Sequence, residues 1–130
     1  MSRWLDPVEA VREAVTEATG APTTRVLDPG FTSGPMPLVH VSLVSSAPGD
    51  IDRTSTVAVD VYAVTPSARG EAGAQALAEL LVDAVDDKPL ASSEGYVDAV
   101  TVTQVGGVRP YFETVEVVPV TLDITYRPRH

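Results

Sequence analysis

The stretch TVAVDVYAV, residues 56–64, decides the fold. Val57, Val59, Val61 and Ala63 alternate with Ala58, Asp60 and Tyr62, a period of two that places one set on each face of a strand. Upstream, Leu38 to Val44 repeats the pattern, with Val39, Val41 and Leu43 on one side and His40 and Ser42 on the other. Downstream, Tyr96 to Val105 and Val115 to Tyr126 read as two more long strands, and Thr23 to Leu27 as a short one. Pro119 lacks an amide hydrogen, so the last strand is expected to bend, bulge or lie at an edge there. The sequences Asp28-Pro29-Gly30, Pro48-Gly49-Asp50 and the Gly106-Gly107 to Arg109-Pro110 region read as turns. From Gly30 to Pro37 the chain is rich in glycine and proline and is expected to be irregular, with Phe31 and Met36 as its sizeable apolar groups.

Two helices complete the pattern. Asp6 is a suitable N-cap, Pro7 fits the first helical position, Glu9 stands where a capping-box acid belongs, and Gly20 is a C-cap residue. Between them Val8, Val11, Val15 and Ala18 recur on one face. Thr65 as cap and Pro66 in the first turn predict a second helix, weakened at its start by Gly70 and Gly73. Its apolar stripe is read as Ala76, Leu77, Leu80, Leu81, Ala84 and Val85, and Pro89 prevents its continuation. The order α-β-β-β-α-β-β predicts an α+β fold, a mainly antiparallel sheet of four to five strands with both helices on one face, in a single domain over residues 1–130. Val118, Val120, Leu122 and Ile124 beside Val115 and Val117, and Val64 beside Tyr62, put apolar groups on both faces. Two helices cover one face, so the other is expected to be finished by a partner.

Composition narrows the chemistry. Valine supplies 22 residues and aromatic side chains only 5%, so the core is built from small, β-branched groups that suit a pleated sheet. Without cysteine there is no disulfide, thiol nucleophile or thiolate metal site. A formal net charge of −9, with Lys88 as the single lysine, disfavours a phosphate-binding surface and suits a wall past which DNA slides. No signal peptide or membrane span is read, so the protein is expected to stay in the compartment where it is made.

No catalytic set assembles from the sequence. His40 and His130 are the only histidines; His40 has no cysteine to serve and no G-x-S-x-G elbow accompanies it. Asp50 and Asp52 have the spacing of a calcium loop, but Val61 stands where the bidentate glutamate belongs. Asp86 and Asp87 close the second helix and read as a solvated end. Gly106-Gly107 leads into Pro110 and a strand rather than a helix N-terminus, so it is no phosphate loop. Asp60, Asp98 and Asp123 would serve a hydrolase only if the fold brought them together, and outward-facing strand acids are the ordinary reading. Neither cofactor nor metal is expected.

The opening helix DPVEAVREAV, the strand PLVHV, the segment RTSTVAVDVYA, the helix AGAQALAELLVDAV and the ending PYFETVEVVPVTLDITYRP run in a characteristic order. In that order and length the chain resembles the tail terminator proteins of long-tailed (siphovirus-type) phages, especially those infecting actinobacteria. The resemblance spans nearly the whole chain and rests on overall pattern rather than on a sharp motif. It implies a non-enzymatic virion protein, made in the bacterial host cytoplasm. Such proteins form a hexameric ring on the head-proximal end of the tail tube, halt tube polymerisation and join the tail to the head's neck. The implied partners are further copies of the chain, the tube protein and a neck or connector protein. DNA passes through the ring without sequence-specific binding.

The family offers no catalytic residues. Interface candidates therefore come from loop positions here: Phe31 and Met36 in the first long loop, Asp52 and Arg53 in the second, Tyr111 and Phe112 in the last connection. Each has an alternative role in pinning its loop to its own domain. Three other functional readings stay open: another head–tail connector ring, a small acidic binding protein, and a hydrolase built on clustered carboxylates.

Overall fold

The computed structural model describes residues 4–48, 52–66, 73–93, 95–112 and 114–127. Helix α1 (Pro7–Thr19) begins as its sequence requires: the Asp6 side chain accepts from the amides of Val8 and Glu9, and Gly20 closes it in a left-handed conformation at φ 72°. It buries Val8, Ala10, Val11 and Val15, while Ala18 is only half-buried.

Seven strands follow in one mixed sheet: β1 (Thr23–Thr24), β2 (Leu38–Pro48), β3 (Arg53–Val64), β4 (Leu90–Ser92), β5 (Gly95–Val105), β6 (Arg109–Phe112) and β7 (Val115–Tyr126). Their spatial order is β1-β2-β3-β7-β5-β4, with β6 also paired to β7. Every pairing is antiparallel except β1 with β2. The α+β class and the helices on one face match expectation. The sheet is wider than four or five strands, because short β4 and β6 come from segments without a readable period. The Arg109-Pro110 turn region is itself β6.

Helix α2 runs Ala74–Val85, not from Thr65. The Thr65 amide instead donates to the Thr114 carbonyl at 2.7 Å, continuing the β3–β7 ladder, and Gly73 stands at the N-cap without a side-chain cap. A carboxylate from the sheet replaces the cap: buried Glu116 of β7 accepts the Ala74 amide at 2.9 Å. The buried face of α2 is Ala74, Leu77, Ala78, Leu81 and Val85; Ala76, Leu80 and Ala84 of the expected stripe face solvent. Gly49, Asp50, Gly70 and His130, which entered the sequence reading, lie outside the described residues.

The core lies between the helices and one sheet face: Val39 and Val41 of β2, Val57, Val59 and Val61 of β3, Val97 and Val100 of β5, and Val118, Val120, Leu122 and Ile124 of β7. At one end of this layer Tyr126 packs edge-on against Trp4, centroids 5.8 Å apart, and its hydroxyl joins Ser55 at 2.7 Å. Ser55 in turn meets the exposed Ser46 at 2.8 Å, so the buried hydroxyls of Ser55 and Tyr126 are satisfied in a chain that crosses three strands.

The opposite face differs from the expectation of an apolar surface awaiting a partner. Its apolar end is covered by the chain's own loop: Leu27, Phe31 and Met36 pack on Tyr62, Val115 and Val117. The rest is polar, with Thr54, Thr56, Ala58 and Asp60 of β3 level with Thr125, Asp123, Thr121 and Pro119 of β7. Thr56 donates to Asp123 at 2.7 Å, and the Thr54 and Thr125 hydroxyls stand 3.3 Å apart. The valines at 118 and 120 and the leucine at 122 belong to the helix side, so β7 is doubly apolar only near Val115 and Val117.

Candidate interaction surface

The loop over the second face is fastened by aromatic rings. Asp28, Gly30 and Phe31 form turns that lead into a single 3-10 turn, Phe31–Ser33. This points the Phe31 ring down onto Tyr62 at 4.9 Å and Tyr111 at 5.5 Å, and Tyr62 and Tyr111 themselves meet at 5.1 Å. Beside the rings, His40 donates from Nε2 to the Arg25 carbonyl at 3.1 Å and turns Nδ1 towards Asp60, 3.9 Å away. Burial raises the Asp60 carboxyl above the usual aspartate range, against the lowering influence of His40 and Arg109. Burial, Asp60 and Tyr111 together push the Tyr62 phenol up to about 12. The cluster is therefore a clasp: rings and a half-buried acid that hold residues 25–37 against the sheet.

The six candidate interface residues separate accordingly. Phe31, Met36 and Tyr111 hold the loop to its own sheet, although Tyr111 remains half exposed. Arg53 lies with its guanidinium 4.2 Å from the Trp4 ring centroid, a cation–π contact that ties β3 to the chain before α1. Asp52 is exposed, and Phe112 projects outward at 53% exposure. Phe112 shares a cross-strand row with Val115 and the exposed Val64, and exposed Val105 and Val108 lie where the chain passes from β5 to β6. Sequence reasoning missed the Tyr62, His40 and Asp60 members of the clasp, because alternation alone does not say which polar strand residues a distant loop will cover.

The carboxylates do not converge. Asp60 and Asp123 are on the same face but their rows are four residues apart, about 13 Å at the usual strand rise. Asp98 stands at the far end of β5, held by two contacts from Arg127 at 3.0 and 3.1 Å. Among the described residues no three His, Asp or Glu side chains are grouped as metal ligands would be. A cleft of about 490 Å³ between the ends of α1 and α2, lined by Ala14, Ala18, Ala84, Val85, Pro89 and others, holds one acid, Glu17. No described helix is long and apolar enough to cross a membrane.

No protein-family model matches this sequence, and no curated protein matches it. Among solved structures, the fold is similar to a chain in the virion of a native gene transfer agent particle, with a TM-score of 0.56. The likeness covers 92% of this chain and 91% of that one, at 17% identity. It is a likeness of fold. It extends over nearly the full length of both chains.

Proposed function

We propose that this chain is a virion structural protein, a tail terminator that assembles with copies of itself into a ring capping the head-proximal end of a phage tail tube. The observation that carries the reading is the extent of the fold likeness to a chain of a gene transfer agent virion, which spans nine-tenths of both molecules. The sequence resemblance to tail terminators supports it independently, and six copies is the number that resemblance implies. In this reading the ring stops tube polymerisation and offers its other side to a neck or connector protein. The partners are the tube protein, the neck protein and the chain itself. The acidic charge of −9 suits a channel that DNA crosses without adhering. No catalytic step is involved; assembly is the activity. In this reading the protein belongs to the virion, at the head-proximal end of the tail.

Electron microscopy of tails produced with and without this protein tests the reading. Its loss is expected to give tubes of uncontrolled length, or tails that fail to join heads. Normal, joined tails in its absence would remove the proposal. A connector ring of the neck is the second reading, since it too would be a virion protein of this fold. Binding to filled heads rather than to tube ends would select it. A small acidic binding protein would instead remain monomeric alone and with tubes.

A further inference from the structure

We propose that Asp86 and Asp87 are an edge guard: they stand in for an adjoining strand along β5 and keep a second copy of this chain from adding its own strand there. The inference goes beyond the ring reading and holds without it, because it concerns a join that the fold prevents.

The two acids that close α2 are more than a solvated helix end, because they meet β5 where its strand partner stops. β4 covers only Gly95 to Val97. Past that point the Asp87 amide donates to the Val100 carbonyl at 2.8 Å, and the Asp86 carboxylate accepts the Val102 amide at 3.0 Å. A donor and an acceptor set on either side of Thr101 are what one residue of an adjoining strand supplies in a ladder. Leu90 lies opposite Val97; Asp87, three residues earlier, reaches Val100, three residues later. The turn therefore prolongs the line of β4 past Pro89.

Local chemistry does not ask for aspartate at either place. Both acids follow the last turn of α2, where the helix dipole opposes negative charge. Asp87 adopts φ 58°, a left-handed conformation that glycine takes more easily. Glycine would make the same turn; aspartate adds an exposed charge to it. The strand beside them needs that charge, since Ala99–Val105 has neither a charge nor a proline and is rich in β-branched residues. A strand to pair with it exists on every copy. β1 pairs only with Val39 and His40, and β2 from Val41 to Ala47 is uncharged and without an outer partner among the described residues. A bare β5 would take the β2 edge of the next copy, and a head-to-tail contact of that kind grows into open chains unless its rotation closes. The Asp86 carboxylate fills the amide at which such a join begins, and both acids face a copy with a charge of −9.

Amide hydrogen exchange and sedimentation of Asp86→Ala test the guard together. In dilute solution the Val102 amide of this variant is expected to exchange about tenfold faster than in the wild type, or more, having lost a charged acceptor. As concentration rises the variant should associate at about a tenth of the concentration that the wild type needs, or less. Its Val102 amide should then become slow again, as a strand of the second copy covers it. Asp86→Asn keeps an acceptor and is expected to hold that amide as the wild type does, which separates loss of the bond from loss of the fold. A folded Asp86→Ala that sediments like the wild type at every concentration, or that associates while its Val102 amide stays fast, would overturn the proposal. Should Asp86→Ala fail to fold, the double variant D86N/D87N decides, since it retains the turn and the acceptor without the charges. It is expected to associate more readily than the wild type, most clearly at low salt, and association no greater than the wild type's would overturn the guard. Neither result bears on the ring reading, which stands or falls on the tails made without the protein.

Discussion

The amide of Gly106 donates to the carbonyl of Pro119 at 2.7 Å, at the point where β7 exchanges one neighbour for another. β5 pairs with β7 from Tyr126 to Val120, and β6 takes over from Val117 to Val115. In a strand a residue's amide and carbonyl point to the same side, so the missing hydrogen of Pro119 faces the gap between β5 and β6. Proline thus sits in a central strand because its neighbour, not the strand itself, is interrupted. A Cβ on Gly106 would come within 2.5 Å of Pro119 Cγ. Gly106→Ala is expected to destabilise the fold by about 1–3 kcal/mol through overpacking against a rigid ring, measured by denaturant titration. An unchanged midpoint would show that the crossing is loose.

Tyr126→Phe removes one buried hydroxyl from the Ser46–Ser55–Tyr126 chain. Ser55 keeps Ser46 at 2.8 Å, so the loss is expected to be about 1 kcal/mol rather than that of an orphaned group. Adding Ser55→Ala should then cost less than it does in the wild type. Additive losses in that double-mutant cycle would deny the coupling.

Phe31→Ala should unfasten the loop at residues 25–37. Loss of its packing on Tyr62 and Tyr111 is expected to cost about 2 kcal/mol and to open the chain after Arg25 to trypsin. Cleavage at Arg25 no faster than in the wild type would mean that the rings are not what holds the loop.

Asp60 and Asp6 should give opposite pH effects. Asp60 has its carboxyl raised in the folded state, so it favours the fold while protonated, and stability falls as pH rises from about the ordinary value of 3.8 through the raised one. Asp60→Asn is therefore expected to raise Tm at pH 7 and to lose that advantage in acid. The reverse order of melting temperatures would show that the His40 and Arg109 charges outweigh burial.

For Asp6, burial is outweighed by Arg25 at 2.7 Å and by the capped amides, and the carboxyl is lowered. Its contribution is complete above 3.8 and is lost as pH falls through the lowered value. Asp6→Ala should cost about 1 kcal/mol at pH 7 as an N-cap deletion, and less at pH 2. An equal cost at both values would remove the charge from the account.

Much of the architecture was legible because local chemistry and tertiary role agree. Asp6, Pro7 and Gly20 bound α1 as read, β7 occupies Val115–Tyr126 as read, and the valine alternation of β3 faces the helices. What was not legible depends on distant residues. Nothing near Thr65 says that its amide belongs to Thr114, or that Glu116 caps a helix 42 positions earlier. The four residues of β6 and three of β4 are too few to show a period. The second sheet face misled because its polar half lies on the threonines of β3 and β7, while a loop that looked too irregular to pack supplies the apolar cover. Of the interface candidates, only Phe112 and Asp52 stand clear of their own chain's packing.

β7 is the shared neighbour of β3, β5 and β6, and it is made after all of them. On the ribosome the β2–β3 and β4–β5 hairpins emerge with nothing to join them, each with a bare inner flank. Long-range pairing of this kind is slow. The nascent chain therefore carries the unpaired flanks of β3, β5 and β6 until residues 115–126 have left the exit tunnel, and the interval before that is when like chains at high concentration would pair wrongly.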